Sequence, residues 1–393
     1  MDALGKRDVV LFLGAGFSAE AGFYIMSEFG KRAAEELHHF STDPSDSPSR
    51  KSSVKVLLDA FQKHAEFQDF LKEKPSLTDF NIQNMEDIFC LAEIFRQSKI
   101  NKVNLKSGPY DIHALLEKIQ LCIWKIYHEY PPKNNRKKID IKPYAQFVDI
   151  LKKPELNRRA SVITTNYDLL VETVAWEGKL KMSYFLDSML TPLRLFPSNP
   201  IYIEQVVADD FMPLIKLHGS VNFFKKNDGS YGISDDIALQ NQRVGGSIIP
   251  SDRPAIFALD FLNTIMGISG TRLTPSLIPP TYSKLDQIEW LQNFWHCGIK
   301  LLSQAKKIIF IGYSMPSSDG FMKSLFNAAM AVRTISEKPQ IYLVKRLRDG
   351  IKKTDDPVFL RFKTFFKDLF KEENFISKKF SEASLDGDIE KIL

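Results

Sequence analysis

Cysteine is scarce: Cys90, Cys122 and Cys297 are the only three in 393 residues, and no two form a Cys-x-x-Cys pair. This argues against a disulfide framework and a four-thiolate zinc site, and it suits a reducing compartment. No stretch reaches the ~18 consecutive apolar residues of a membrane-spanning helix. Residues 9–13 are too few for the apolar core of a secretion signal and run straight into glycine. The expected location is therefore the cytoplasm, with no membrane partner. Neither sign of charge dominates. The 53 Lys and Arg against 48 Asp and Glu leave a net +5, too mild to argue for direct nucleic-acid binding.

Apolar material is ample, at 44% of the chain with 30 phenylalanines, enough for a sizeable core. Length allows two or three domains, or one α/β unit with large insertions. Short β-branched runs at 8–13, 160–165, 214–217, 307–311 and 340–344 read as buried parallel strands, and all but the last lead into polar or glycine-containing loops. The pattern predicts an α/β fold, a Rossmann-like open parallel sheet that takes ligands at the carboxyl ends of its strands. The separation of the first two runs is far too long for one crossover. Residues 26–145 are therefore read as a mainly helical insertion, with a loop at 41–53 and helical apolar spacing at 54–70, 84–96 and 112–129. Residues 225–285, with Gly245-Gly246, Pro250, Pro254, Pro275 and Pro279-Pro280, read as an irregular loop region. A helix is expected over 288–305 and a C-terminal helical extension over 346–393. The Phe-rich stretch 358–370 is either an amphipathic helix packed on the core or an oligomer contact. There is no internal repeat, and 1–393 is treated as one unit.

Four strand ends carry the chemistry. In Gly14-Ala15-Gly16-Phe17-Ser18 the glycines permit a tight turn and let backbone N–H groups, with the positive end of the following helix, approach an anion. The loop is neither G-x-G-x-x-G nor a P-loop, and its plainer reading is an ordinary strand–turn–helix. Thr164-Thr165-Asn166-Tyr167-Asp168 offers an amide and a carboxylate at a strand end, or simply a helix N-cap. Lys216-Leu217-His218-Gly219-Ser220 places a histidine between an apolar run and a glycine turn. His218 is the one candidate acid/base. His38-His39 reads as a solvated helix face, and His64, His113, His128 and His296 sit in helical patterns. Gly312-Tyr313-Ser314 can hold a ribose or phosphate. Glu86-Asp87 either approaches the site from the insertion or forms a solvated helix face, and is left out of the site.

In this order the four segments resemble the sirtuin family of NAD-binding domains, whose motifs are Gly-Ala-Gly-x-Ser, Thr-x-Asn-x-Asp, His-Gly and a late Gly-x-Ser. The matching residues are 14–18, 164–168, 218–219 and 312–314. The resemblance covers the sheet framework, and neither the helical insertion nor 225–285. Protein-deacylating sirtuins carry two Cys-x-x-Cys pairs, absent here. Their glycine loop continues into Ile-Pro-Asp-Phe-Arg, where this chain has Gly22-Phe23-Tyr24-Ile25-Met26-Ser27-Glu28-Phe29 without arginine. Where they read Thr-Gln-Asn-Ile-Asp, this chain has Thr-Thr-Asn-Tyr-Asp. The pattern is similar to the divergent sirtuin-like domains of bacterial anti-phage defence proteins, NAD glycohydrolases that deplete NAD on infection. The length resembles members that work beside a HerA-type ATPase.

The resemblance implies a fold without a zinc subdomain, NAD as substrate and no metal. It implies that Asn166 holds the ribose and orients a water, that His218 accepts a proton, and that Asp168 bonds the nicotinamide carboxamide. Gly14, Ala15, Gly16 and Ser18 would hold the pyrophosphate, Thr165 and Gly219 would join the dinucleotide-binding set, and Gly312 and Ser314 would hold the adenosine ribose. It also implies a homo-oligomer and an ATPase or DNA-translocase partner. Two other functions fit the same residues: an NAD-dependent deacylase or ADP-ribosyl transferase, and a non-catalytic nucleotide sensor.

Overall fold

Val9–Leu13 forms strand β1, and none of its five side chains reaches solvent. A run buried on both faces belongs at the centre of a parallel sheet, and that is its place in the computed structural model. The structure describes residues 7–23, 98–111, 142–184, 191–193, 211–225, 231–234, 274–277, 291–316, 319–347 and 349–393, with isolated positions between 66 and 123.

In chain order the described strands are β1, β2 (Lys102–Leu105), β3 (Gly108–Asp111), β4 (Ala160–Thr164), β5 (Met182–Ser183), β6 (Thr191–Leu193), β7 (Met212–Lys216), β8 (Gly219–Lys225), β9 (Tyr231–Ser234), β10 (Thr274–Leu277), β11 (Lys307–Ile311), β12 (Gln340–Val344) and β13 (Phe370–Ile376). The main sheet has the order β13-β12-β11-β1-β4-β7-β5, and every pairing in it is parallel. This is the open parallel α/β sheet expected from the sequence. β1 has β4 on one side and β11 on the other, in direct register: Leu13 lies opposite Thr164 and Ile311. The chain thus leaves β1 toward one edge and returns to its other side, which opens a crevice at the carboxyl ends of these strands. The opposite end is pinned by Arg7, 2% exposed, which donates to the carbonyls of Asn157, Ala160 and Phe211.

The helices that bear on the site are α1 (Ala15–Ala19), α2 (Lys142–Leu151), α3 (Pro154–Asn157), α4 (Leu170–Glu177), α5 (Gln292–Gln304), α6 (Gly320–Ala331), α7 (Pro357–Phe366), α8 (Phe380–Leu385) and α9 (Asp388–Ile392). Two aromatic clusters gather eight of the 30 phenylalanines. Phe12, Phe310, Tyr313 and Phe326 meet Phe362 and Phe366 of α7. Phe17 of α1 meets Tyr144 and Phe147 of α2 and Phe380 of α8. Burying such a ring contributes about 1.5–3 kcal/mol. Of the two readings of the Phe-rich stretch, the core-packed helix is what α7 adopts. It begins at Pro357, and the Asp356 carboxylate accepts from Val358 N and Phe359 N at 2.9 and 3.0 Å.

Three expectations change. The C-terminal extension is not all helix, because Phe370–Ile376 is a parallel edge strand. Its charged middle, Lys371-Glu372-Glu373, hides the strand pattern and suits an edge that must not pair with other chains. Within 26–145, residues 102–111 form a two-stranded hairpin with buried Val103 and Leu105. Within 225–285 the described residues are strands β9 and β10, which belong to a second sheet of order β10-β8-β9-β6. Pro275 is tolerated there because β10 is an edge strand. Most of the three helices expected in the insertion, together with Glu86, Asp87, Cys90, Cys122, His38, His39, His64, His113 and His128, lies outside the described residues. Among the described residues no helix is long and apolar enough to cross a membrane.

Candidate functional site

The loops after β1, β4, β7 and β11 stand side by side because their strands are neighbours. The loop after β1 and the loop after β11 pack backbone on backbone. Gly14 N donates to Ile311 O at 3.0 Å and Gly16 N to Gly312 O at 2.8 Å, while Phe17 N turns back to Gly14 O at 2.9 Å. Gly312 is left-handed, with φ +64°, and a Cβ there would overlap Phe17 N and lie 2.5 Å from Gly16 C. A Cβ on Gly14 would lie 2.5 Å from Tyr313 Cα, and one on Gly16 2.9 Å from Gly312 Cα. The N–H groups of Gly14 and Gly16 donate to the neighbouring main chain, and the loop-to-loop contact is a reason for glycine at both positions that the sequence does not show. Ala15 is the exposed tip of the loop.

Ser314, also exposed, has its carbonyl held by Arg361 of α7 at 3.0 and 3.1 Å. Beside it, Met315 is fully buried with φ +46°, and Tyr313 donates its hydroxyl to Asp319 at 2.9 Å.

Asn166 is locked in place from three sides. Its N–H donates to Thr164 Oγ1 at 3.0 Å, and the Thr164 hydroxyl donates to Leu13 O at 3.0 Å. Its Nδ2 donates to Gly14 O and to Ser18 Oγ, both at 3.0 Å. A carbonyl oxygen can only accept, so the amide atom that faces Gly14 O is the nitrogen and the amide orientation is forced. Both amide protons are engaged, which leaves Oδ1 as the remaining polar atom of the amide. Thr165 joins the same seam through its N–H to Leu13 O at 3.3 Å.

Asp168 is 2% exposed. Its Oδ1 accepts from Leu170 N at 3.0 Å, the N-cap that the plainer sequence reading expected. Oδ2 is buried with no hydrogen-bond partner among the described residues. Burial pushes the Asp168 carboxyl above the usual aspartate range, against lowering by the Lys216 ammonium, the Leu170 N–H and the Ser18 hydroxyl; Glu172 adds a smaller upward push.

His218, 6% exposed, occupies the tight turn between β7 and β8, completed by Gly219 at φ +80°. Its ring lies 6.3 Å from that of Tyr167, centroid to centroid. The turn is held by Trp295 Nε1, which donates to Leu217 O at 3.0 Å, and it is stitched to the β4 loop by Val221 N and Ser220 Oγ, both donating to Tyr167 O at 3.0 and 3.3 Å. His296, by contrast, is exposed on α5.

Asn166, Gly14 and Ser18 are thus joined directly, Asp168 adjoins them, and His218 sits on the next turn. Gly312 meets this group through the backbone of residues 14–17, and Ser314 lies farther along the same loop. Sequence reasoning passed over the polar residues beneath. Lys216 Nζ, 1% exposed at the side chain, donates to Asp168 O and pairs with Glu172 Oε1 at 3.0 Å. Glu172 Oε1 also accepts from Tyr184 OH at 2.8 Å, and Asn222 Nδ2 reaches Tyr184 OH at 3.3 Å. The signal was present: a lysine within the apolar run 214–217 has to find an anion. Behind α1, Tyr144 OH donates to Phe17 O at 2.8 Å, and burial with the nearby Glu20 and Asp168 charges pushes this phenol up. Among the described residues no group of three or more His, Cys, Asp or Glu is placed to hold a metal.

The family model for the SIR2-like domain matches residues 160–364. No curated protein matches the chain. Among solved structures, a Sir2 homologue mutant in complex with ADP-ribose is 12% identical, with 98% of this chain and 92% of that chain covered and a TM-score of 0.37. A Sir2 homologue in complex with NAD is 13% identical, with 98% and 89% covered and a TM-score of 0.36. Sir2Tm bound to a propionylated peptide is 13% identical, with 99% and 96% covered and a TM-score of 0.35.

Proposed function

We take as premise that this chain belongs to the SIR2-like domain family, and we propose that it is an NAD glycohydrolase. The observation that carries the reading is the pairing of Asn166 with the glycine loop beside the turn that presents His218. A grip on a nucleotide has no use for a proton acceptor at the next strand end, whereas hydrolysis is accelerated by one.

The reaction breaks the bond between nicotinamide nitrogen and ribose C1′. The electron pair stays with nitrogen, water oxygen bonds to C1′, and one proton is released. The leaving group is already good, so positioning and charge stabilisation carry most of the acceleration. Asn166 Oδ1, the amide's remaining polar atom, accepts from the attacking water or a ribose hydroxyl. His218 takes the proton from that water or hydroxyl. Asp168 Oδ2 accepts from the nicotinamide carboxamide. Ala15, between Gly14 and Gly16, and Ser18 of α1 bind the pyrophosphate, with Thr165 and Gly219 joining the dinucleotide-binding set. Ser314, in the loop that begins at Gly312, faces the adenosine ribose.

The test is product chromatography after incubating the full chain with NAD. Nicotinamide and ADP-ribose are expected, and His218→Ala or Asn166→Ala should each lower the rate by about 100-fold or more. Full activity in both variants refutes the assignment. Turnover that requires an acylated peptide identifies a deacylase or transferase instead, and NAD binding without turnover in every oligomeric state and with an ATPase partner added identifies a sensor. In the cell we propose a bacterial anti-phage effector that depletes NAD, held off by oligomerisation, a lid or a HerA-type ATPase partner. A constitutively active monomer contradicts that gating.

A further inference from the structure

Beneath the site lies a chain of buried polar groups that the proposed reaction does not use directly. Lys216 closes β7, Glu172 lies in the first turn of α4, Tyr184 follows β5, and Asn222 belongs to β8. All four are at least nine-tenths buried. The Lys216 ammonium donates both to Asp168 O and to Glu172 Oε1, and that same oxygen accepts the Tyr184 hydroxyl. Glu172 Oε2 has no hydrogen-bond partner among the described residues. With both carboxylates ionised, one buried cation faces two buried anions. Burying charge is tolerated only when it is paired, so this group is electrostatically tight: neutralising any member alters the others.

Lys216 also has a mechanical position. It stands two residues before His218, and through Asp168 O it grips the loop that carries Asn166 and Asp168. One ammonium therefore ties together the two strand ends that supply all three proposed reacting groups.

We propose that Lys216 and Glu172 are positioning residues: they fix the β4 loop against the His218 turn and act on the reaction through the Asp168 carboxyl. The inference rests on the glycohydrolase reading only for its catalytic consequence. Among the described residues, charged and titratable groups that act on Asp168 include Lys216 from β7, Glu172 from α4 and Tyr144 from α2. Of these, Lys216 favours the ionised carboxyl and Glu172 opposes it. The two substitutions should therefore move Asp168 in opposite directions, which simple loosening of the structure would not do.

The experiment labels the aspartate carboxyl carbons of the full chain with carbon-13. It follows the Asp168 resonance, assigned by its loss in Asp168→Asn, against pH. Glu172→Gln should lower the Asp168 midpoint and Lys216→Met should raise it. If Lys216→Met does not fold, the Glu172→Gln arm decides alone. A midpoint that is unmoved or raised in Glu172→Gln, or lowered in Lys216→Met, overturns the proposal. NAD turnover, measured in parallel, should fall about 100-fold at neutral pH in Lys216→Met, the scale of a misplaced reacting group, and the acid limb of the Glu172→Gln pH profile should move to lower pH. Undiminished turnover in a folded Lys216→Met overturns the catalytic consequence. Wild type that shows no turnover in any oligomeric state or with an ATPase partner added refutes the glycohydrolase reading, while the titration still tests the coupling of Lys216 and Glu172 to Asp168.

Discussion

Gly312→Ala is the sharpest perturbation of the candidate site's framework. Two costs add at this position. The backbone is left-handed, with φ +64°, which penalises an L side chain by about 1–2 kcal/mol. The new methyl would also overlap Phe17 N and crowd Gly16 C and Cα at 2.5 and 2.8 Å. These are main-chain atoms that cannot swing aside, so loop one must move as a body, at a cost of about 1–3 kcal/mol by analogy with overpacked cores. The expected loss is about 2–5 kcal/mol, a large part of a typical domain's stability. Two controls separate the terms. Gly387→Ala has the same backbone problem, with φ +72°, but nothing within 4 Å of the new methyl, so it should lose only about 1–2 kcal/mol. Gly14→Ala has φ −109° and carries the contact term alone, with its Cβ 2.5 Å from Tyr313 Cα. Urea unfolding followed by circular dichroism, compared at constant slope, reads all three. If Gly312→Ala costs no more than Gly387→Ala, the two glycine loops are not packed backbone on backbone, and the account of why residues 14, 16 and 312 are glycine fails.

The loop helix is also fastened from behind. Glu20 accepts from Phe380 N at 2.7 Å and Ser381 N at 3.1 Å, so Glu20→Ala should cost about 1 kcal/mol and speed amide exchange in 380–385. Unchanged exchange there would refute the anchoring. Asp356 is buried, and burial opposes its charge. The Lys345 ammonium at 2.6 Å and two backbone N–H groups nonetheless hold its carboxyl below the usual aspartate range. A folded value below the unfolded one contributes stability that is present above the unfolded value and lost as pH falls through the folded value. Asp356→Ala should therefore be destabilised by about 1–2 kcal/mol at pH 7, and its deficit should shrink under acid. Urea midpoints at pH 7 and pH 3 check this, and a deficit that grows under acid would contradict it.

The framework was legible because burial writes itself into a sequence. β11 and β12 occupy the expected residues 307–311 and 340–344, and β1 and β4 differ from expectation by one terminal residue each. Continuous apolar runs between glycine and polar loops have few other uses. The residues that line up at the strand ends were legible for the same reason, since the loops inherit their places from the strands. What stayed hidden depends on partners distant in sequence. β13 is recognisable only as the neighbour of β12, because its middle is charged. Lys216 reads as one polar residue in an apolar run, because its partners Asp168 and Glu172 lie 48 and 44 residues away in sequence. The glycines were visible, but their reason was not. The spacing suggests an anion, and the structure adds contact with a second loop.

The candidate site and the rear of the molecule form one mechanical unit. Phe17 packs between Tyr144, Phe147 and Phe380, and Ser384 donates to Pro143 O at 2.7 Å, so α2 and α8 together buttress the helix that follows the glycine loop. Glu20 lies on that same turn and caps α8. Strand β13 hands the chain to α8 only after joining the sheet, with Lys345 N bonded to Ile376 O at 3.1 Å. The family match ends at residue 364, yet residues 370–393 complete the sheet and cover the apolar back of the glycine-loop helix. The nucleotide grip proposed for this loop has to be rigid before it can discriminate, because mobility in the loop would spread a ligand over many geometries. Here that rigidity comes from three places: the β11 loop at the side, the Asn166 amide in front and the C-terminal helix behind. The boundary of the recognisable family segment is therefore not the boundary of the unit that holds the candidate site together.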